Sequence, residues 1–95
     1  MSLSEQSESK TPAWHVYICQ SAVGYFYVGI SPNPEQRLRK HNEGLGAKMA
    51  RDQGEFRLKY VSEPFPNKSQ ARIREVQIKK WSRQKKEKLI SGEWQ

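Results

Sequence analysis

Read for apolar positions alone, the chain breaks into short periodic segments separated by glycine, proline and asparagine. Trp14, Val16 and Ile18 alternate with His15, Tyr17 and Cys19 at the two-residue period of a strand. A second run, Tyr25-Phe26-Tyr27-Val28-Gly29-Ile30, follows a short segment containing Gly24, and together the runs predict a β-hairpin. Asn33-Pro34-Glu35-Gln36 has the make-up of a helix start. Asn33 can cap, Pro34 loses nothing by lacking an N–H in the first turn, and Gln36 can reach back to the cap. That helix should run to Asn42 or Glu43 and stop at Gly44. Gly46, Met49, Ala50 and Gly54 predict a loop or short irregular helix, and Arg57 to Ser62 a third strand closed by Pro64 and Pro66. Asn67-Lys68-Ser69-Gln70 repeats the capping arrangement and predicts a helix through Trp81. Ser82 then caps a last helix from Arg83 to Ile90, with Gly92 past its end. The order β-β-α-β-α-α predicts an α+β domain with a small antiparallel three-stranded sheet flanked by helices.

Ninety-five residues allow one compact core and no internal domain boundary. The expected division is a disordered tail over 1–12, a domain over 13–91 and a C-terminal tail over 92–95. The first twelve residues are rich in Ser, Glu and Gln and show neither a signal peptide nor a transit pattern. No apolar stretch approaches the roughly 20 residues that span a bilayer. Cys19 is the single cysteine, which excludes an internal disulfide and a cysteine metal cluster and suits a reducing, cytoplasmic compartment.

Charge changes the picture more. Seventeen Lys and Arg against ten Asp and Glu leave a net +7, and the 1–12 segment contributes −1 of it, so the folded part is more basic than the whole. An excess of this size on so small a body favours a polyanion, nucleic acid first. The densest block runs from Lys79 to Lys88, where Lys79, Lys80, Arg83, Lys85, Lys86 and Lys88 stand against Glu87 alone. Such a block can neutralise several phosphates. Trp81 within it is read as a core residue.

Four further positions carry candidate chemistry. Tyr17 and Tyr27 lie on opposite strands of the hairpin and share a face only if the pairing register is even. A turn pairing Gln20 with Gly24 or Cys19 with Tyr25 puts them opposite each other, one pairing Gln20 with Tyr25 separates them, and both remain open. Arg37 and His41, four apart on the first helix, occupy one face, which by itself reads as a solvated face and otherwise as an arrangement suited to receiving a phosphate. Glu75 sits about 40° around its helix from Ala71 and about 60° from Ile78, within the stripe that should meet the sheet. It is the only acid between Glu63 and Glu87. A carboxylate on a core-facing stripe needs either a basic partner or a metal ion.

Taken in order, these residues resemble the GIY-YIG endonuclease family, and most closely its small stand-alone, YhbQ-like branch. The motifs stand as Val16-Tyr17-Ile18 and Tyr27-Val28-Gly29, followed by Arg37, His41, Gly46-Ala47-Lys48 and the Glu75 segment Arg74-Glu75-Val76-Gln77-Ile78-Lys79. The resemblance implies a GIY-YIG-like fold and a hydrolase that cuts phosphodiester bonds in DNA, or else RNA, by a one-metal mechanism. Glu75 would hold one Mg²⁺ or Mn²⁺, Arg37 would grip the scissile phosphate, and Tyr17 or Tyr27 would align or deprotonate the attacking water. That last role requires neighbouring cations to lower the phenol's pKa. His41 would assist proton movement or hold a tyrosine, and Lys48 would join the basic block in contacting nucleic acid. With no appended recognition domain expected, the expectation is broad substrates, structured ones, or targeting by a protein partner. The alternative is a weak or inactive nucleic-acid-binding module of the same fold, acting as an adaptor.

Overall fold

The computed structural model describes residues 13–44 and 54–93, and Lys48 with the expected tails lies outside them, except for residues 92–93. The expected element order is present: β1 (His15–Ser21), β2 (Phe26–Ser31), α1 (Pro34–Gly44), β3 (Phe56–Val61), α2 (Lys68–Lys79) and α3 (Arg83–Ser91). The sheet is antiparallel in the order β2-β1-β3, so the first strand lies in the middle.

That central place buries both faces of β1, which carries four consecutive buried residues from Val16 to Cys19. Val16 and Ile18 meet Val28, Ala71, Ile78 and Leu89 in one cluster, beneath α2 and α3. Tyr17 and Cys19 face the other way and pack with Leu38 of α1 and with Phe56. Each large aliphatic side chain enclosed here contributes about 1.5–3 kcal/mol. The sheet is thus a thin wall between two small cores.

The hairpin register differs from every pairing expected from the sequence. Cys19 faces Tyr27 and Tyr17 faces Gly29, with Gln20 opposite Phe26. The register is even, so the two tyrosines share a face, but they stand diagonally rather than opposite. The turn sets this spacing. Gly24 N donates to Ser21 O at 2.9 Å, Ser21 N donates to Tyr25 O at 2.9 Å, and Gly24 takes φ 100, which a side chain would resist. On the other edge β3 spans Phe56–Val61, one residue earlier than predicted. Its register to β1 shifts between Ile18 and Cys19, which leaves Lys59 as the extra residue of a bulge.

The three helix caps follow the sequence. Asn33 Oδ1 accepts from Gln36 N at 3.1 Å, Asn67 Oδ1 from Gln70 N at 2.9 Å and Ser82 Oγ from Lys85 N at 3.1 Å. Each such cap stabilises by about 1 kcal/mol. The second helix, however, ends at Lys79 and not at Trp81. Ser82 must be extended to cap α3 (φ −65, ψ 162), so the chain leaves the helix at Lys80 to reach that conformation. Asn42 supplies a further brace, donating to Phe56 O and accepting from Phe56 N, both at 3.0 Å, which pins the end of α1 to the start of β3. No helix among the described residues is long and apolar enough to cross a membrane.

Candidate active site

The site opens where β2, α1 and α2 approach one another, as a polar hollow of about 210 Å³. Its floor depends on Gly29. A Cβ placed there would lie 2.7 Å from Tyr17 Oη and 2.8 Å from Tyr17 Cζ, so the Tyr17 ring rests across bare backbone. With Tyr17 only 4% exposed, the ring has nowhere to retreat. Gly29→Ala is therefore expected to destabilise by about 1–3 kcal/mol through overpacking and to displace the hydroxyl. A urea melt indistinguishable from wild type would contradict this.

Tyr27, 39% exposed, stands beside Tyr17 with ring centroids 6.4 Å apart and lines the same hollow. His41 does not reach the wall of the hollow. It stacks on Tyr27 at 5.9 Å and 24° and meets Phe56 edge-on at 5.4 Å, and its buried Nε2 has no hydrogen-bond partner among the described residues. His41 is thereby placed to hold the Tyr27 ring.

Arg37 enters from α1. Ser31 Oγ, at the end of β2, accepts from Asn33 N at 2.9 Å, which sets the helix against the strand one turn before Arg37. The guanidinium is exposed, makes no ion pair among the described residues, and lines both this hollow and a neighbouring one that includes Lys40.

Glu75 enters from α2, where Ala71 and Ile78 on the same stripe are fully buried. The acid itself is 7% exposed. Its ion pairs are long and come from its own helix: Arg72 Nε to Oε1 at 3.6 Å and Lys79 Nζ to Oε2 at 3.4 Å. Neither base is internal, so the carboxylate is not locked into a buried bridge. Among the described residues no three His, Cys, Asp or Glu side chains gather as a metal cluster. One near-buried carboxylate on a polar wall fits a hard cation that retains most of its own water.

The ionisation of Tyr17 departs from expectation. Burial, first, and then the neighbouring Tyr27, Cys19 and Glu75 push its pKa up to about 12, and Arg37 lowers it too little to offset them. In the protein alone that shift favours the protonated phenol, which can donate a hydrogen bond. Burial likewise pushes the Cys19 thiol up to about 11. Because both folded values lie above the ordinary 10.0 and 9.0, the unfolded chain ionises first as pH rises. Their contribution is complete below about pH 9 and is lost on the way to about pH 12, with Tyr17 accounting for about 2–3 kcal/mol. Thermal midpoints measured across that range should fall, and fall less in Tyr17→Phe. An equal fall in both would remove Tyr17 as a cause.

The hollow also draws on residues that sequence reasoning did not single out: Trp14, Lys68 and Arg72. Lys68 Nζ lies 5.5 Å from the centroid of the Trp14 ring. A signal existed in the spacing, since Lys68, Arg72, Glu75 and Lys79 recur at intervals of four, three and four and form one helical stripe. Of the basic block, only Lys79 approaches the site, through Glu75. Arg83, although exposed, is engaged by its own chain, donating to Gly24 O at 2.8 Å, pairing with Glu87 at 3.2 Å and covering Phe26 at 4.2 Å. Lys85 lies over Trp81 at 4.2 Å, and Trp81 is partly buried against the larger core. Lys80, Lys86 and Lys88 do not line the hollow.

Known proteins match the chain over most of its length. The model of the GIY-YIG catalytic domain matches residues 13–88. A UPF0213 protein of Halalkalibacterium halodurans is 40% identical over 77 residues, covering 81% of each chain. One from Staphylococcus saprophyticus is 44% identical over 77 residues, covering 81% of this chain and 93% of that protein. The solution NMR structure of a UPF0213 protein from Bacillus halodurans superposes with a TM-score of 0.51 at 39% identity, covering 83% of both chains. The ordered motifs, the β-β-α-β-α-α fold and these matches establish that the chain belongs to the GIY-YIG domain family, among its small single-domain UPF0213 members.

Proposed function

We propose that this protein is a metal-dependent endonuclease that hydrolyses phosphodiester bonds in DNA, with RNA as the second polyanion to test. The observation that carries the reading is the meeting of Glu75, Arg37 and the two phenols around one polar hollow from four separate elements, β1, β2, α1 and α2. Arg37, Lys68 and Arg72 give that hollow three bases against one acid, a field that draws in a phosphate.

Glu75 holds one Mg²⁺ or Mn²⁺, which supplies Lewis-acid stabilisation of phosphoryl charge when bound. Arg37 grips the scissile phosphate through a guanidinium that no carboxylate occupies among the described residues, and offsets its developing charge. Tyr17 and Tyr27 turn their hydroxyls toward the attacking water and the phosphate. Tyr17 contributes as a neutral hydrogen-bonding group for as long as it keeps its proton. His41 positions Tyr27 by stacking rather than by touching substrate. Lys79, Lys80, Lys85, Lys86 and Lys88 supply phosphate contacts outside the hollow, with salt-sensitive binding as the consequence.

The test is a cleavage panel of single-stranded, duplex, flapped and branched DNA and RNA with Mg²⁺ or Mn²⁺, run beside Glu75→Ala. Metal-dependent products absent from the variant are expected. Salt-sensitive binding without cleavage of any substrate would leave a nucleic-acid-binding adaptor instead.

A further inference from the structure

The partners of Glu75 differ sharply in freedom from the acid they hold. The Glu75 side chain is 9% exposed, whereas those of Arg72 and Lys79 are 66% and 53% exposed. The acid is fixed in the wall, and the bases reach it from solvent on long, flexible stems. Their distances of 3.6 and 3.4 Å are well beyond the roughly 2.7–2.9 Å of a tight charge-assisted bond. Two positive charges beside the only carboxylate that lines the hollow among the described residues also compete with any cation for its oxygens, and repel that cation if they stay.

We propose that Arg72 and Lys79 are exchangeable partners of Glu75, neutralising it in the free protein and transferring to backbone phosphates once a divalent cation takes the carboxylate. This rests on the nuclease reading and deepens it. Arg72 and Lys79 become phosphate ligands of the loaded site, and cation and nucleic acid bind cooperatively, each strengthening the other by the same factor. The helix is built for such a transfer. Lys68, Arg72 and Lys79 lie on one stripe of α2 with Glu75 among them. That stripe covers roughly 16 Å of helix at 1.5 Å per residue, room for several phosphates of one strand. Lys68, which lines the same hollow, lies over Trp14.

The experiment uses the full chain, Mn²⁺ and a phosphorothioate oligonucleotide that resists hydrolysis. Oligonucleotide affinity is measured with and without Mn²⁺, and Mn²⁺ affinity by calorimetry with and without the oligonucleotide. In wild type Mn²⁺ is expected to raise oligonucleotide affinity on the order of tenfold. In the Arg72→Gln/Lys79→Gln double variant that gain should shrink to about twofold or less, while the oligonucleotide-free variant takes up Mn²⁺ more tightly than wild type. Simple repulsion between bases and cation would instead leave the gain intact or enlarge it, so a double variant with the full wild-type gain overturns the exchange. Glu75→Gln separates the two ideas. If it abolishes Mn²⁺ binding while the double variant keeps the gain, the exchange alone fails. If it binds Mn²⁺ as wild type does, the nuclease site itself fails. Both bases are exposed, so their replacement leaves the core untouched.

Discussion

Glu75→Gln is expected to lower metal-dependent cleavage about a thousandfold while the protein stays folded. The magnitude follows from the loss of several kcal/mol of charge stabilisation at the phosphoryl group, with each factor of ten in rate corresponding to about 1.4 kcal/mol. Folding survives for a structural reason. Glutamine keeps the volume between Ala71 and Ile78, and the bases left behind, Arg72 and Lys79, are exposed and return to water. No buried charge is orphaned, which is the situation that makes broken ion pairs costly. Cleavage rates with Mg²⁺ and Mn²⁺, alongside thermal midpoints, check both halves. A folded variant that cuts at the wild-type rate would remove Glu75 from the chemistry, and a collapsed one would reassign it to the core.

Arg37→Ala should cost about 10²–10³ in turnover, the usual penalty for deleting one preorganised group aimed at developing negative charge. Stability should stay within about 0.5 kcal/mol, as expected for an exposed side chain, since Arg37 forms no ion pair among the described residues. Arg37→Lys is the informative companion. It restores the charge but not the planar fork that addresses two phosphate oxygens together, so it should recover only part of the rate. Single-turnover kinetics would separate a binding defect from a chemical one. Full activity in Arg37→Lys would show that a point charge suffices, and full activity in Arg37→Ala would remove the residue from the site.

Much of the architecture was legible because it is written in local chemistry. Asn33, Asn67 and Ser82 announce helix starts through side chains that serve backbone N–H groups three residues on, and all three caps are formed. Where elements compete for the same few residues, local reading loses accuracy. The helix expected to include Trp81 stops at Lys79 because Ser82 needs extended backbone for the next cap. Gly29 shows the opposite case. Its motif position was visible, but its physical purpose, leaving space for the Tyr17 ring, becomes apparent only when the strand opposite is in place. Lys68 and Arg72 were missed as parts of the hollow because charged residues on a basic helix look alike until a wall defines which stripe faces inward.

From its sequence alone, the chain determined the order of its elements, the amphipathic stripe bearing Glu75, the strong basic excess and the family pattern, all of which depend on residue type and spacing along the chain. Tertiary structure decided the hairpin register and so the diagonal placing of Tyr17 and Tyr27, the retreat of His41 behind Tyr27, the tie of Arg83 to the Gly24 turn, and the upward shift of the Tyr17 phenol. The reason is that burial and through-space charge are sums over neighbours from distant parts of the chain. Tyr17 lies next to Gly29, near Arg37 and across from Glu75, and the balance among them exists only after the sheet and its helices have closed.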